Sequence, residues 1–375
     1  MDNILIYNTS FFDISQTFIY HQAESLAGSY EVHLIASKFL NPHDFPIDHY
    51  KQFEIHRANG LINRVAGKVF NKQLFKFDSH KKLNQLFKDQ NYKVVHAHFG
   101  TKGLEILPYA KKHNVPLVVS FHGADASRML KQKSYVEKLP ELFDYSSAII
   151  ISSRHMADNL GLDNWESKVR LIPYGINPEE FSGIAGGNTN GKITLLHSGR
   201  IVGKKGVPDL IKVFNNLTTS YSNLELNLIG DGEEMEKSRK LVGEFGLEDQ
   251  VHFYGAVSHD EVKRQMEKAD IFVLNSRVAE DGDMEGTPVT MLEAMCMGRA
   301  VVSTRHAGIP YVIEHGKNGL LADEKSNEQL QKNIEVLINN PQLRSELGKQ
   351  ARNTIQVSYS IKNMKEKIRT VFKEL

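Results

Sequence analysis

The chain has 375 residues, of which 41% are apolar and 24% charged, and its 46 Lys and Arg against 45 Asp and Glu leave a net charge of +1. That balance excludes a disordered chain and a global grip on a polyanion such as nucleic acid. The one cysteine, Cys296, excludes an intrachain disulfide and a thiolate metal cluster, and no apolar run approaches the ~18 residues of a membrane span.

The charge is uneven along the chain. Residues 1–175 carry 21 basic and 17 acidic side chains, the remainder 25 and 28. Met1-Asp2-Asn3 and the short apolar run after it lack the basic start and long apolar stretch of a signal peptide. No secretory leader is therefore expected, and a reducing, cytoplasmic location fits the cysteine usage.

In chain order, residues 4–7, 32–36, 94–97, 117–121 and 148–152 are short Ile- and Val-rich runs bounded by polar, Gly or Pro positions. They read as buried strands, with helical stretches between most of them. The stretch 61–83 has apolar residues at helical spacing and carries Arg64, Lys68, Lys72 and Lys76 at steps of four. Like charges at that spacing repel. An anionic membrane surface would relieve the repulsion; the alternative is the solvated face of an ordinary amphipathic helix. Residues 182–191 are small, polar and Gly-rich, which places a hinge between Pro173 and Gly191. Strands then restart at 193–197, 224–229, 251–254, 271–274 and 300–303, and from Pro341 the chain is strongly helical. Two alternating β/α series predict an α/β protein of two doubly wound parallel-sheet domains, 1–175 and 176–360.

The strongest chemical signal is Glu285-Gly286-Thr287-Pro288-Val289-Thr290, continuing through Glu293 to Gly298. Pro288 suits a first helical turn, the helix should run over 290–297, and Gly298 suits the position just past its end. Unpaired N–H groups and the helix dipole make that start an anion site, with Glu285 and Glu293 flanking it. A second signal, Ser198-Gly-Arg200 to Lys205-Gly206, follows the strand 193–197. Arg200 and Lys205 beside a helix start suit a diphosphate; a charged surface loop is the alternative. A third is His122-Gly-Ala-Asp125, after the strand 117–121, where ligands of parallel sheets bind. Gly230-Asp231-Gly232 and His96-Ala-His98 mark further strand ends. The two histidines have no clear third metal ligand, so a structural or acceptor-lining role is expected of them. Asp281 and Asp283 read as a solvated acidic loop. No dinucleotide fingerprint, P-loop or nucleophile elbow is present.

The segments 285–293, Arg200 to Lys205 and 122–125 together resemble the retaining glycosyltransferases of family four, which have the GT-B fold. Residues 15–19, 96–100 and 283–288 further resemble the bacterial exopolysaccharide branch, of the colanic-acid type. Where many members have a glycine-rich loop after the first strand, residues 8–17 here have no glycine, and Ser15, Gln16 and Thr17 stand in its place. The resemblance implies two Rossmann-like domains facing a cleft, the first binding acceptor and the second binding donor. It also implies a last helix, 361–375, returning to the first domain.

By the same resemblance, a hexosyl group passes from a nucleoside-diphosphate sugar to an acceptor hydroxyl with its anomeric configuration kept. A UDP-sugar is favoured and a GDP-sugar is the second choice; no cofactor or metal is expected. Glu285 would hold donor-sugar hydroxyls, Glu293 the ribose and His122 the 6-hydroxyl, while Arg200, Lys205 and the helix start would stabilise the departing diphosphate. Gly255, Ala256 and Val257 would line the base pocket, with Gly230 and Asp231 also on the donor side. Ser15, Gln16, Thr17, His98 and Asp125 would face the acceptor, a saccharide expected to be lipid-linked and met at the inner face of the plasma membrane. A nucleotide-sugar 2-epimerase of the same fold and a non-catalytic nucleotide-sugar-binding protein are the alternatives.

Overall fold

Runs such as Ile4-Leu-Ile6 and Ala148-Ile-Ile-Ile151 are apolar at every position, so a strand made of them needs cover on both faces. The computed structural model, which describes residues 1–12, 16–43, 45, 47, 50–55, 73–181 and 191–375, gives them that cover. The chain divides into two compact units. One is Met1–Ile151, Ala157–Ile172 and Lys365–Leu375; the other is Ser152–Met156 and Pro173–Met364.

The first unit holds a seven-stranded sheet in the order Tyr50–Glu54, Glu31–Ala36, Asn3–Tyr7, Val94–His98, Leu117–Ser120, Ser146–Ile151, Val169–Leu171. All its pairings are parallel. The order reverses at Asn3–Tyr7, which lies between Glu31–Ala36 and Val94–His98. In open parallel sheets the crevice beyond such a reversal is the usual ligand site. Residues from Lys365 onward, the larger part of the helix Ile361–Lys373, pack on this unit. Phe372 is fully buried against His96, Tyr30 donates its hydroxyl to the Phe372 carbonyl at 3.1 Å, and Arg369 donates to the Ser25 carbonyl at 2.8 Å. The expected return of the last helix is thus observed.

The second unit holds six parallel strands in the order Val251–Gly255, Leu224–Ile229, Ile193–Ser198, Ile271–Val273, Ala300–Thr304, Leu320–Ala322. Its order reverses at Ile193–Ser198, the strand that leads into Gly199 and Arg200. The helix Val207–Thr218 buries Val207, Leu210, Ile211, Phe214 and Leu217, which recur at three- and four-residue steps, against the sheet. Each such side chain, fully buried, contributes roughly 1.5–3 kcal/mol. A register shift between Leu228 and Ile229 sets Ile229 opposite Gly255, so the edge strand is bulged at its carboxyl end.

Candidate active site

In the second unit, the turn Gly203–Lys205 directs two adjacent lysines inward, and both are buried. Lys205 runs back over Gly199, where an added Cβ would stand 3.3 Å from its Cε. Its Nζ lies 2.8 Å from Glu285 Oε1. Lys204 Nζ lies 3.1 Å from Asp283 Oδ2, donates to the Met284 carbonyl at 3.1 Å, and stands 4.0 Å from Glu285 Oε2. Burial alone would push the Glu285 carboxyl up; Lys205 and then Lys204 overcome it and hold the group down at about 2. Glu285 is therefore held ionised at neutral pH in a dry place. Asp283 is buried and tied to Lys204, which corrects the expectation of a solvated acidic loop.

The main chain at Glu285 is fixed by a residue the sequence did not flag. His306, fully buried, accepts the Glu285 N–H on Nε2 at 3.0 Å. Its Nδ1 must then carry the proton, and it meets Glu324 Oε1 at 2.6 Å. The other oxygen of Glu324 accepts the Val278 N–H at 3.0 Å. His306 and Glu324 lie 18 residues apart and form no motif, so only proximity in the fold reveals them.

The helix after Glu285 is Val289–Cys296, with Pro288 as its N-cap rather than inside its first turn. Gly298, at φ +68°, sits just past its end as its spacing predicts. Thr290 donates its hydroxyl to the Ser198 carbonyl at 2.9 Å, which anchors the helix start at the end of the central strand. The first-turn N–H groups and the helix dipole favour an anion at that start. Arg200 is exposed on the loop after the same strand. That loop lies main chain to main chain against Gly230-Asp231-Gly232, with Ile201 N–H donating to the Asp231 carbonyl at 2.9 Å; on the other side Gly230 N–H donates to the Gly255 carbonyl at the end of the edge strand, at 2.8 Å. Gly230 has φ +124°, and a Cβ on it would stand 2.0 Å from the Gly199 carbonyl oxygen. Only glycine fits there. Ala256 is exposed and Val257 partly so, at the turn beyond the bulged strand end.

Glu293 is buried on the same helix, and its Oε1 lies 3.2 Å from His259 Nε2. His259 was not among the residues the sequence singled out.

In the first unit the expected histidines do come together. His98 Nδ1 lies 3.0 Å from His122 Nε2, and His96 Nε2 lies 2.7 Å from Ser120 Oγ. Phe18 and Phe99 pack on the His122 ring with centroids 4.7 and 4.8 Å away. Burial holds His96 and His122 down at about 3, and His98 well below its ordinary range. These rings are neutral hydrogen-bonding groups. Phe99 sits at φ +73°, a strained conformation for a bulky residue, held by its N–H donating to the Ser120 carbonyl at 2.7 Å.

Asp125 is expected on the acceptor side, but its carboxylate turns inward. It accepts the N–H groups of His122 and Gly123 at 3.0 Å each and that of Gly100 at 2.9 Å, and is 2% exposed. It clasps the His122 loop to the start of the helix Gly100–His113. Gln16 and Thr17 stand at the start of the helix Thr17–Leu26 and are partly exposed. Ser15, Arg64, Lys68 and Lys72 lie outside the described residues, as does the Lys76 side chain. Among the described residues no helix is long and apolar enough to cross a membrane.

Known proteins resemble this chain in sequence and in fold. A family described as glycosyltransferase family 4 matches residues 15–180, and one described as glycosyl transferases group 1 matches residues 183–354. The amylovoran biosynthesis glycosyltransferase AmsK of Erwinia amylovora is 34% identical over 216 residues, 57% of this chain and 53% of that protein. The putative colanic acid biosynthesis glycosyltransferase WcaL of Escherichia coli K12 is 29% identical over 237 residues, 62% of this chain and 58% of that one. The matched part thus spans little more than half the length of these relatives. Among solved structures, Anabaena HepE in complex with UDP and glucose superposes with a TM-score of 0.80 at 16% identity, covering 100% of both chains. Likeness at that identity carries the fold alone. The two families follow one another along nearly the whole sequence, and the chain belongs to the family-four type of glycosyltransferases with the GT-B fold.

Proposed function

We propose that the protein transfers a hexosyl group from a nucleoside-diphosphate sugar, a UDP-sugar by preference, to a saccharide hydroxyl with retention of configuration, in the synthesis of a bacterial surface polysaccharide. The observation that carries this reading is the buried Lys204–Lys205–Glu285 cluster beside a helix start at the carboxyl edge of a parallel sheet. A carboxylate kept ionised in a dry site suits sugar hydroxyls, which donate to it, and an adjoining cation and helix dipole suit a diphosphate. The names of AmsK and WcaL, and the UDP and glucose of the HepE complex, support the substrate class.

In this reading the second unit holds the donor. Glu285 takes hydroxyls of the transferred sugar, Glu293 the ribose, and the 255–257 turn the base. Arg200, Lys205 and the free N–H groups near Thr290 meet the charge that grows on the diphosphate as the glycosidic C–O bond breaks. The departing phosphate oxygen takes the proton of the attacking hydroxyl, so no separate base is needed and activity persists in excess EDTA. The first unit holds the acceptor, and His122 offers a neutral ring to a sugar hydroxyl. The acceptor is lipid-linked, and the protein works peripherally at the inner face of the plasma membrane.

A panel of UDP-, GDP- and ADP-sugars, read by binding and by nucleotide release with and without saccharide acceptor, tests the reading. Acceptor-dependent release supports it. An altered sugar without acceptor would mean an epimerase, and binding without turnover a non-catalytic protein.

A further inference from the structure

His259 is the first residue of the helix His259–Lys268, whose start is fixed by Ser258, the side chain of which accepts the Glu261 N–H at 3.3 Å. The helix start places the ring between two carboxylates. Nε2 lies 3.2 Å from Glu293 Oε1, and Nδ1 lies 3.5 Å from Glu180 Oε1. Phe181 packs edge-on against the ring, with centroids 5.5 Å apart at 77°. A ring with a carboxylate at each nitrogen donates from both, which makes it an imidazolium. Glu180 first and Glu293 next hold it protonated up to about 10.

The consequence for Glu293 is specific. One of its oxygens is committed to His259, and no described group donates to the other, Oε2. A buried carboxylate with no fixed partner would be free to turn between rotamers; this one is held at one edge with the other edge open. His259 also follows the 255–257 turn by two residues, so a single helix start ties that turn to Glu293.

We propose that His259, braced by Glu180, is a positioning residue that fixes the Glu293 carboxylate so that its open oxygen accepts a ribose hydroxyl of the nucleoside diphosphate. This rests on the donor reading above and adds to it a residue pair that sets ribose recognition. His259 itself touches no substrate. It acts through Glu293 by fixing the rotamer and placing a cationic donor 3.2 Å from Oε1.

The test is calorimetric. The nucleoside diphosphate that binds the wild type most tightly, among UDP, GDP and ADP, is compared with its 2′- and 3′-deoxy forms and with inorganic pyrophosphate. Wild-type protein should lose about tenfold in affinity on removal of the recognised hydroxyl, as one charge-assisted hydrogen bond would predict. His259→Ala should bind the parent nucleotide about tenfold more weakly, no longer distinguish the deoxy form, and keep its pyrophosphate affinity. Glu180→Gln should move the same discrimination in the same direction by a smaller factor. His259→Arg, which restores a cationic donor, should regain part of it. If His259→Ala keeps the wild-type preference for the intact ribose, the proposal is overturned. A uniform loss that includes pyrophosphate would mean general disturbance of the unit and would overturn it too. Wild-type protein that binds none of the three nucleotides would instead sink the donor reading itself.

Discussion

His98 Nδ1 and His122 Nε2 lie 3.0 Å apart, with their rings stacked at 17° and centroids 5.2 Å apart. Both rings are neutral, so one proton is shared between the facing nitrogens: one ring donates and the other accepts. The choice fixes which tautomer His122 carries, and so whether its remaining nitrogen is a donor or an acceptor. His98 is fully buried and its Nε2 has no hydrogen-bond partner among the described residues. The tautomers of the two rings are thus linked through this one contact.

Replacing His98 by Leu should therefore lower kcat and leave nucleoside-diphosphate affinity unchanged. Loss of a buried hydrogen bond of this type costs ~1–3 kcal/mol, roughly 5- to 150-fold in rate. His98→Asn keeps a polar atom near the Nδ1 position and should fall between. Steady-state kinetics with calorimetry for the nucleotide separates the two effects. A change in nucleotide affinity with kcat intact would be the wrong way round.

The Lys205–Glu285 pair makes a prediction about stability. Both side chains are only 9% exposed. Glu285→Gln leaves the two lysines facing Asp283 alone, and Lys205→Met leaves the Glu285 charge under-compensated. Each single change should cost about 3–5 kcal/mol, whereas the double variant should recover much of that. Urea unfolding measures this cycle. Additive losses would show that the two groups do not act as a pair. Activity should be lost in all three variants.

Acid should destabilise the protein from neutral pH downward. His96, His122 and His197 are held by burial at about 3, against an ordinary 6.5. Below 6.5 the unfolded chain takes protons that the folded chain refuses, so their contribution is complete above 6.5 and falls away towards 3. Glu285 acts in the same direction at lower pH: its contribution is present above 4.5 and is lost as pH falls to about 2. His259 has the opposite sign. Its raised value means a contribution present below 6.5 and lost as pH rises through about 10. The melting temperature should fall between 6.5 and about pH 5, and His197→Asn should flatten that slope. A melting temperature that rises on acidification would contradict the burial of these rings.

The basic run Arg64, Lys68, Lys72 and Lys76 makes a separate prediction from sequence. Each cation near an anionic bilayer contributes about 1 kcal/mol, screened by salt. The protein should bind anionic vesicles at low salt and neutral ones little. Changing all four to Gln should abolish that binding while donor hydrolysis survives. Equal vesicle binding by wild type and variant would return the run to a solvated face.

The central strands were legible because they are short runs rich in Ile, Leu and Val between polar or Gly positions, as at 94–97, 193–197 and 224–229. Tyr50–Glu54 was missed because an edge strand with Lys51, Gln52 and Glu54 exposed has no such pattern. Leu320–Ala322 was missed because three residues are too few for a period. At the site, the segments 285–293 and 122–125 were visible because their residues are contiguous. His306 with Glu324, and His259 with Glu180 and Glu293, are brought together from distant positions. Lys204 was hidden for another reason: beside Lys205 it reads as a duplicate charge, and only the turn Gly203–Lys205 gives each lysine its own carboxylate.

On the donor reading proposed above, the contact between Gly230 and the Gly199 carbonyl has a consequence for anyone wishing to redesign donor preference. Most tight spots in a protein yield to a second substitution, because the neighbour is a side chain that can be trimmed. Here the neighbour is main chain, and the same is true at Gly232, where an added Cβ would stand 2.4 Å from the Ile201 carbonyl oxygen. No library of compensating changes can make room without moving two strand ends at once. Diversity introduced at 230 and 232 would be spent on unfolded clones. If the 255–257 turn holds the base as proposed, exposed Ala256 and partly exposed Val257 are where a library could sample new base contacts while the sheet stays as it is.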